Sequence, residues 1–245
     1  MQVVFVHGVP ETHQVWDRLR GNLSGDDHLA LSLPGFGCVL PDRFEPSMES
    51  YADWLIVELE RQDEPVHLVG HDWGGILVLR AVSLRPDLVA SWVTDAAGAA
   101  DPRFAWHPLA KIWQTPGEGE GWMDAQLSLS DQDRTAALAR FGVPEADALV
   151  MVEAFDRTMA DAILTLYRSA VSVHEDWGAD FADIPAPGLV LAPPDDPYAP
   201  GRGAERAAER SGARLTRPHG IGHWWMLTNP EAMASLLQEF WSSVA

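Results

Sequence analysis

The sequence predicts an α/β architecture: a mostly parallel sheet flanked by helices, with a helical insertion before the last strands. Three observations predict it. Short apolar runs, at 3–6, 29–33, 66–69, 91–94 and 188–191, alternate with segments of helix length, and parallel strands need such crossover segments between them. The alternation breaks between residues 101 and 183, where helical spacing takes over. A single cysteine, Cys38, excludes an internal disulfide or a cysteine-based metal cluster, so the fold must rest on packing.

Taken in order, the first run, Val3-Val4-Phe5-Val6, has the residue types and length of a buried strand. Val15, Trp16, Leu19 and Leu23 then recur at helical spacing. Ser47 suits the N-cap of a helix carrying Tyr51, Trp54, Leu55 and Leu59 toward the sheet. The strands at 66–69 and 91–94 flank an apolar helix at 76–84. Within 101–183, residues 116–121 read as a flexible loop, and helices follow at 134–141 and 146–167. A strand at 189–191, a helix at 204–210, a short strand around Leu215 and a closing helix at 231–241 complete the chain. The expected division is a core of residues 1–100 and 184–245 with a cap at 101–183. No internal repeat or low-complexity segment interrupts it.

With 245 residues the chain suits one domain, or a core with an inserted lid. Its 36 acidic against 17 basic residues give a formal charge of −19, which argues against binding nucleic acid or anionic membranes. No apolar run reaches the roughly eighteen residues of a membrane-spanning helix, and the first residues lack a signal-peptide pattern. The expectation is a cytoplasmic protein that takes a small apolar or amphipathic substrate, with a homodimer possible, and uses no cofactor or metal.

The sharpest local signal is the run of residues 66–69 into Gly70-His71-Asp72-Trp73-Gly74-Gly75 and the helix beyond. Strand, glycine-flanked turn and helix make a nucleophile elbow, in which small residues at Gly70 and Gly74 let backbone pass closely and the central side chain is lifted above the sheet edge. That side chain is Asp72. A carboxylate there is unsuited to serine-type acyl transfer, but it can displace a leaving group from an sp³ carbon and form an alkyl ester. The plainer alternative is an aspartate capping the next helix.

Two further pieces join it. After the first strand, His7-Gly8-Val9-Pro10 makes a sharp turn whose Val9 N–H can combine with that of Trp73 as an oxyanion hole; His7 itself reads as structural. Near the other end, Gly222-His223-Trp224 precedes the last helix, so His223 is the candidate base and the order nucleophile, acid, histidine is available. His13, His28, His67, His107 and His174 read as surface or packing residues. For the acid, the loop Pro193-Pro194-Asp195-Asp196-Pro197 offers Asp196, with Asp195 as an alternative and Asp95, after the 91–94 strand, as a third candidate that also reads as a loop cap.

On these residues the sequence resembles the epoxide hydrolase and haloalkane dehalogenase branch of the α/β-hydrolases. The resemblance spans nearly the whole chain, strong at the motifs and weak at 101–183. It implies an α/β-hydrolase fold with an inserted helical lid, and a sheet of six strands because the chain begins where the third strand of the family normally stands. It also implies that Asp196 fills the acid's place in a Gly-x-x-Asp-Pro pattern, although Pro193 stands where the glycine is expected.

Within that branch the lid separates the substrates. Tyr167 stands 29 residues (196 minus 167) before Asp196, similar to the place where epoxide hydrolases carry one of two ring-opening tyrosines; the second is not visible in the lid. For a dehalogenase, Val9 replaces a halide-binding asparagine, while Trp73 is present and Trp106, Trp113, Trp122 or Trp177 offers another indole N–H. Trp73 and Ile76 occupy places that fluoroacetate-type dehalogenases fill with carboxylate-binding arginines. The expectation is therefore an epoxide hydrolase, with carbon–halogen hydrolysis as the alternative and a degenerate ligand-binding receptor as the remaining one.

Overall fold

The structure is a computed structural model and describes residues 1–199 and 202–244. Strands β1 (Val3–Val6), β2 (His28–Leu31), β3 (Val66–Gly70), β4 (Val89–Thr94), β5 (Gly188–Leu191) and β6 (Arg214–Thr216) form one sheet in the order β2-β1-β3-β4-β5-β6. Every neighbouring pair runs parallel. In chain order the helices are α1 (Asp17–Arg20), α2 (Met48–Glu60), α3 (Trp73–Leu84), α4 (Pro108–Gln114), α5 (Glu118–Ser128), α6 (Asp131–Arg140), α7 (Glu145–Ala154), α8 (Arg157–Ser169), α9 (Val173–Asp176), α10 (Gly203–Ser211), α11 (Trp225–Thr228) and α12 (Pro230–Val244).

The inner strands β1, β3, β4 and β5 are largely apolar and buried on both faces because both are covered, whereas the edge strands β2 and β6 are only partly buried. Val4, Val6, Leu68, Trp92 and Val190 face a core shared with α2 and α3, while Val3, Phe5, Val69, Val93, Leu189 and Leu191 face a second core shared with α11 and α12. Strand order reverses between β1 and β3: the chain moves outward to β2, then returns to the other side of β1. Such a reversal opens a crevice beyond the carboxyl ends of the two strands. The turns after β1 and β3, which carry Val9 and Asp72, meet there.

Helix α2 has the predicted start, with Ser47 Oγ accepting from the Ser50 amide, and the strand and helix placements near the C-terminal end hold within a few residues. Three local expectations are corrected. Val15 to Leu23 is not one helix but a 3-10 turn, His13–Trp16, followed by the single turn α1, which closes at Gly21; its four apolar residues are buried all the same. Residues 118–121, expected in a loop, are the first turn of α5, because the Glu120 carboxylate reaches back to the Gly117 amide and caps the helix. The stretch 146–167 breaks into α7 and α8 at Asp156, whose carboxylate accepts from the Met159 amide and starts a new helix. Helices α4 to α9 all lie between β4 and β5. No helix among the described residues is long and apolar enough to cross a membrane.

Candidate active site

Asp72 sits between β3 and α3 with φ 49° and ψ −122°, a strained conformation for a residue with a side chain. The close quarters are made by glycines: a Cβ on Gly70 would lie 2.4 Å from the Gly74 carbonyl oxygen, and one on Gly74 would lie 2.1 Å from that of Val6. Only glycine fits either place. The Asp72 side chain makes no capping bond to α3, so the helix-cap alternative does not describe it. Instead its Oδ1 accepts from the Val9 N–H at 2.9 Å. Burial raises the Asp72 pKa, and the neighbouring His223 and His71 rings and the Trp73 N–H only partly offset that.

On the opposite side, His223 Nδ1 lies 3.0 Å from Asp196 Oδ2, both residues buried. Asp196 Oδ1 is occupied by the Tyr198 amide at 2.8 Å, which fixes the carboxylate, and His223 borders both cavities that meet at Asp72. Asp195 is exposed. Asp95 does not pair with His223; it belongs to a separate buried group.

That group was not foreseen from sequence. His71 lies between two carboxylates, with Nδ1 2.5 Å from Asp95 Oδ2 and Nε2 3.0 Å from Glu11 Oε1. Burial alone pushes the His71 pKa down, but the two anions and their hydrogen bonds outweigh it and raise it well above the ordinary value. Burial correspondingly works to raise Glu11 and Asp95, and His71 reverses this and lowers both. The outer oxygens hold the two turns of the site: Glu11 Oε2 accepts from the Gly8 amide at 3.0 Å, and Asp95 Oδ1 from the Asp72 amide at 2.9 Å. Trp225 Nε1 donates to Asp95 at 2.6 Å. The available signals were a histidine beside the elbow residue and an acid in the turn after β1, neither of which reveals a partner without the fold.

Glu11, His71 and His223 offer ligand atoms within 4.8 Å of one another. His71 already presents both ring nitrogens to carboxylates, Nδ1 to Asp95 and Nε2 to Glu11, which is the geometry of a buried ion group. His7 is structural, as expected: its Nε2 accepts from the Leu33 amide at 3.0 Å, and burial lowers its pKa to about 4.

Two cavities of unlike character meet at Asp72. One, about 150 Å³, runs under the helices between β4 and β5 and is walled by Trp113, Trp122, Leu138, Met151, Val152 and Phe155 among others. The other, about 350 Å³, is bordered by Asp101, Arg103, Arg202 and Arg206, of which Arg206 pairs with Asp101. Asp72, His107, Tyr198 and His223 border both. His107 is therefore a site residue as well as the cap of α4, where its Nδ1 accepts from the Ala110 amide at 3.2 Å; burial, aided by His223, lowers its pKa to about 4.

Tyr167, from α8, lines the apolar cavity and is packed among Trp73, Trp106 and Trp113 at ring distances of 5.5, 5.1 and 4.8 Å. Burial and then the Asp72 carboxylate raise its phenol well above the ordinary value, so it keeps its proton. Of the four candidate indoles, Trp106 donates to the Ala170 carbonyl at 2.9 Å, and Trp177 lies under Arg80, its ring 4.9 Å from the guanidinium carbon. Trp122 lines the apolar cavity. Trp113 and Trp73 are buried, and their N–H groups find no aligned acceptor among the described residues.

Residues 3–236 match the Alpha/beta hydrolase family. The chain is 24% identical over 280 aligned positions to "Probable oxidoreductase EphD" of Mycobacterium bovis, covering 97% of this chain and 45% of that one; it thus spans about half the length of the curated relatives it matches first. Among solved structures, the 2-hydroxy-6-oxo-6-phenylhexa-2,4-dienoate hydrolase of a Rhodococcus strain superposes with a TM-score of 0.78 at 19% identity, covering 98% of this chain and 90% of the other. An epoxide hydrolase from an endophytic Streptomyces gives 0.74 at 20% identity, covering 99% and 89%. At these identities the structures establish the fold. With the six-stranded sheet and the elbow in place, the chain belongs to the alpha/beta hydrolase family.

Proposed function

We propose that this hydrolase opens epoxides to vicinal diols through a covalent ester on Asp72. The observation that carries the reading is the Asp72 carboxylate itself, poised at the elbow with one oxygen held by the Val9 N–H at 2.9 Å. An oxygen so held becomes the oxyanion when the ester is later attacked, and the other is the one that attacks carbon. Asp72 displaces the ring oxygen from an epoxide carbon while the Tyr167 phenol donates to that oxygen. His223, oriented by Asp196, then takes a proton from the water that attacks the Asp72 carboxyl carbon, and the diol leaves. In this reading, residues 101–183 act as the lid that carries Tyr167 and excludes bulk solvent. The likeness to an epoxide hydrolase structure supports it at the level of fold.

A second reading, carbon–halogen hydrolysis by the same nucleophile, is favoured by the unpartnered indole N–H groups of Trp73 and Trp113, which suit a departing halide. One experiment separates the two. A panel of aryl and alkyl epoxides is assayed for diol and a matched panel of haloalkanes for halide, with His223→Gln followed by intact-protein mass spectrometry. Diol formation and an adduct mapped to Asp72 are expected; halide release without diol from any epoxide gives the site to the second reading.

A further inference from the structure

The larger of the two cavities at Asp72 is where this acidic chain gathers positive charge. Of only 17 basic residues against 36 acidic ones, Arg103, Arg202 and Arg206 all border it. We propose that this cavity is the subsite for a carboxylate carried by the substrate and bound by Arg103 at the rim, so that the epoxide taken at Asp72 is an amphipathic acid whose apolar arm fills the other cavity. The inference rests on the epoxide reading for the reaction, though not for the binding of the anion.

The three guanidinium groups are not equivalent. Arg206 Nε donates to Asp101 Oδ2 at 2.8 Å, and a second Arg206 N–H reaches the same oxygen. Arg202 pairs with Glu205, which also takes Arg217, and Glu209 lies close enough to act on both Arg202 and Arg206. Those two cations are answered; Arg103 is not. Its nearest acid is Asp101, whose Oδ2 is held by Arg206 and whose Oδ1 accepts from the Arg103 backbone amide at 3.2 Å. The Arg103 guanidinium stops 3.7 Å short of that carboxylate and has no closer acid among the described residues. Its side chain is 70% exposed, which puts the unanswered charge at the mouth of the cavity, where an arriving anion meets it.

The acids deeper in the same cavity fix the charge and reach of the ligand. Asp72, Asp95 and Asp196 also border it. Asp95 is met by His71 and Trp225, and Asp196 by His223, whereas Asp72 has to remain an available carboxylate. Like charges repel, so one surplus guanidinium suits a monoanion, held at the rim with a short spacer between it and the reacting carbon. A guanidinium can grip a carboxylate through two parallel N–H groups, which fixes direction as well as charge. The apolar arm is then left the other cavity, walled by Trp113, Trp122 and Phe155.

The test uses 3,4-epoxy-4-phenylbutanoate beside its primary amide, which keeps both arms and lacks the charge, and the unreactive pair 4-phenylbutanoate and 4-phenylbutanamide. Diol formation gives kcat and KM for wild type, Arg103→Gln and Arg61→Gln, the last removing an equal charge at the end of α2. Calorimetry gives the affinity of the unreactive pair for the same proteins. Wild type is expected to prefer each acid to its amide. Arg103→Gln is expected to raise KM for the epoxy acid and to weaken 4-phenylbutanoate by roughly threefold to fivefold, the worth of an ion pair open to water. The same variant leaves kcat and both amides unchanged, high salt erases the difference, and Arg61→Gln matches wild type. Equal losses on acid and amide in Arg103→Gln overturn the subsite, because the contact is then blind to charge. The same loss in Arg61→Gln also overturns it, because only the long-range field is then at work. If no epoxide yields diol, calorimetry still decides: 4-phenylbutanoate bound through Arg103 keeps the subsite and discards the epoxide reading. No binding of that acid, or binding indifferent to Arg103, discards the subsite whatever the epoxides do.

Discussion

The Val9 amide and Asp72 Oδ1 are 2.9 Å apart, a bond between residues 63 positions apart in sequence that ties the turn after β1 to the elbow after β3. If Asp72 is the nucleophile, Asp72→Asn preserves this bond through the side-chain carbonyl but has no attacking oxygen. Turnover is expected to fall by more than a thousandfold, on the order seen when a covalent nucleophile is removed, while the thermal midpoint stays near that of wild type. Activity within tenfold of wild type, with deamidation excluded by mass spectrometry, would remove Asp72 from the mechanism.

The pH profile carries a second expectation. Asp72 must be ionised to attack, and burial raises its pKa, so activity falls as pH drops through a value higher than the usual aspartate range near about 3.9. The His71 ring acts to lower that pKa, and its loss in His71→Gln should move the acid limb of kcat/KM further up. A limb that stays put, or moves down, contradicts the electrostatic link between the two residues.

His71→Gln also tests the buried group as a source of stability. Glu11 and Asp95 have lowered pKa values, so their contribution is present above their unfolded values and lost as pH falls through the folded ones. His71, raised, contributes fully below about 6.5 and loses its contribution as pH rises through its folded value. Removing it leaves two buried carboxylates without a cation, at a cost of about 3 to 5 kcal/mol. Denaturant unfolding should show that deficit at neutral pH and a smaller one toward acid, where the carboxylates take up protons. A deficit independent of pH would point to lost packing instead.

Tyr167→Phe divides the two chemistries. The ring remains among Trp73, Trp106 and Trp113, so a loss of activity reports the hydroxyl; epoxide turnover is expected to drop roughly tenfold to a few hundredfold, with halide release little changed. Equal diol formation by the variant and wild type would assign the proton to another group.

Much of this was legible because the site is built at strand ends. The residues of β1 and β3, the glycines at 70 and 74, and the order of Asp72, Asp196 and His223 announce themselves as local patterns, and the structure brings those three side chains to one cavity. What was not legible depends on long-range pairing. Glu11, His71 and Asp95 come from three separate turns and become an ion group only when β1, β3 and β4 lie side by side. Tyr198 and His107 were passed over because no local pattern shows that a loop residue after Asp196 and the cap of α4 border the same cavities as Asp72. Helix ends between β4 and β5 were blurred for a simpler reason. Caps such as Asp156 and Glu120 look like any other surface acid until the backbone they satisfy is known.

The unlike walls on the two sides of Asp72 have a stereochemical consequence. On the proposed reading, a substrate with one greasy and one polar arm is expected to lie with the greasy arm toward Trp113 and Phe155 and the polar arm toward Arg103 and Asp101. Its mirror image, to present the same bond to the same carboxylate oxygen, must exchange the arms between walls that do not suit them or offer its other carbon instead. On that reading, handedness is set not by Asp72 or His223 but by the contrast between two rooms that share a doorway.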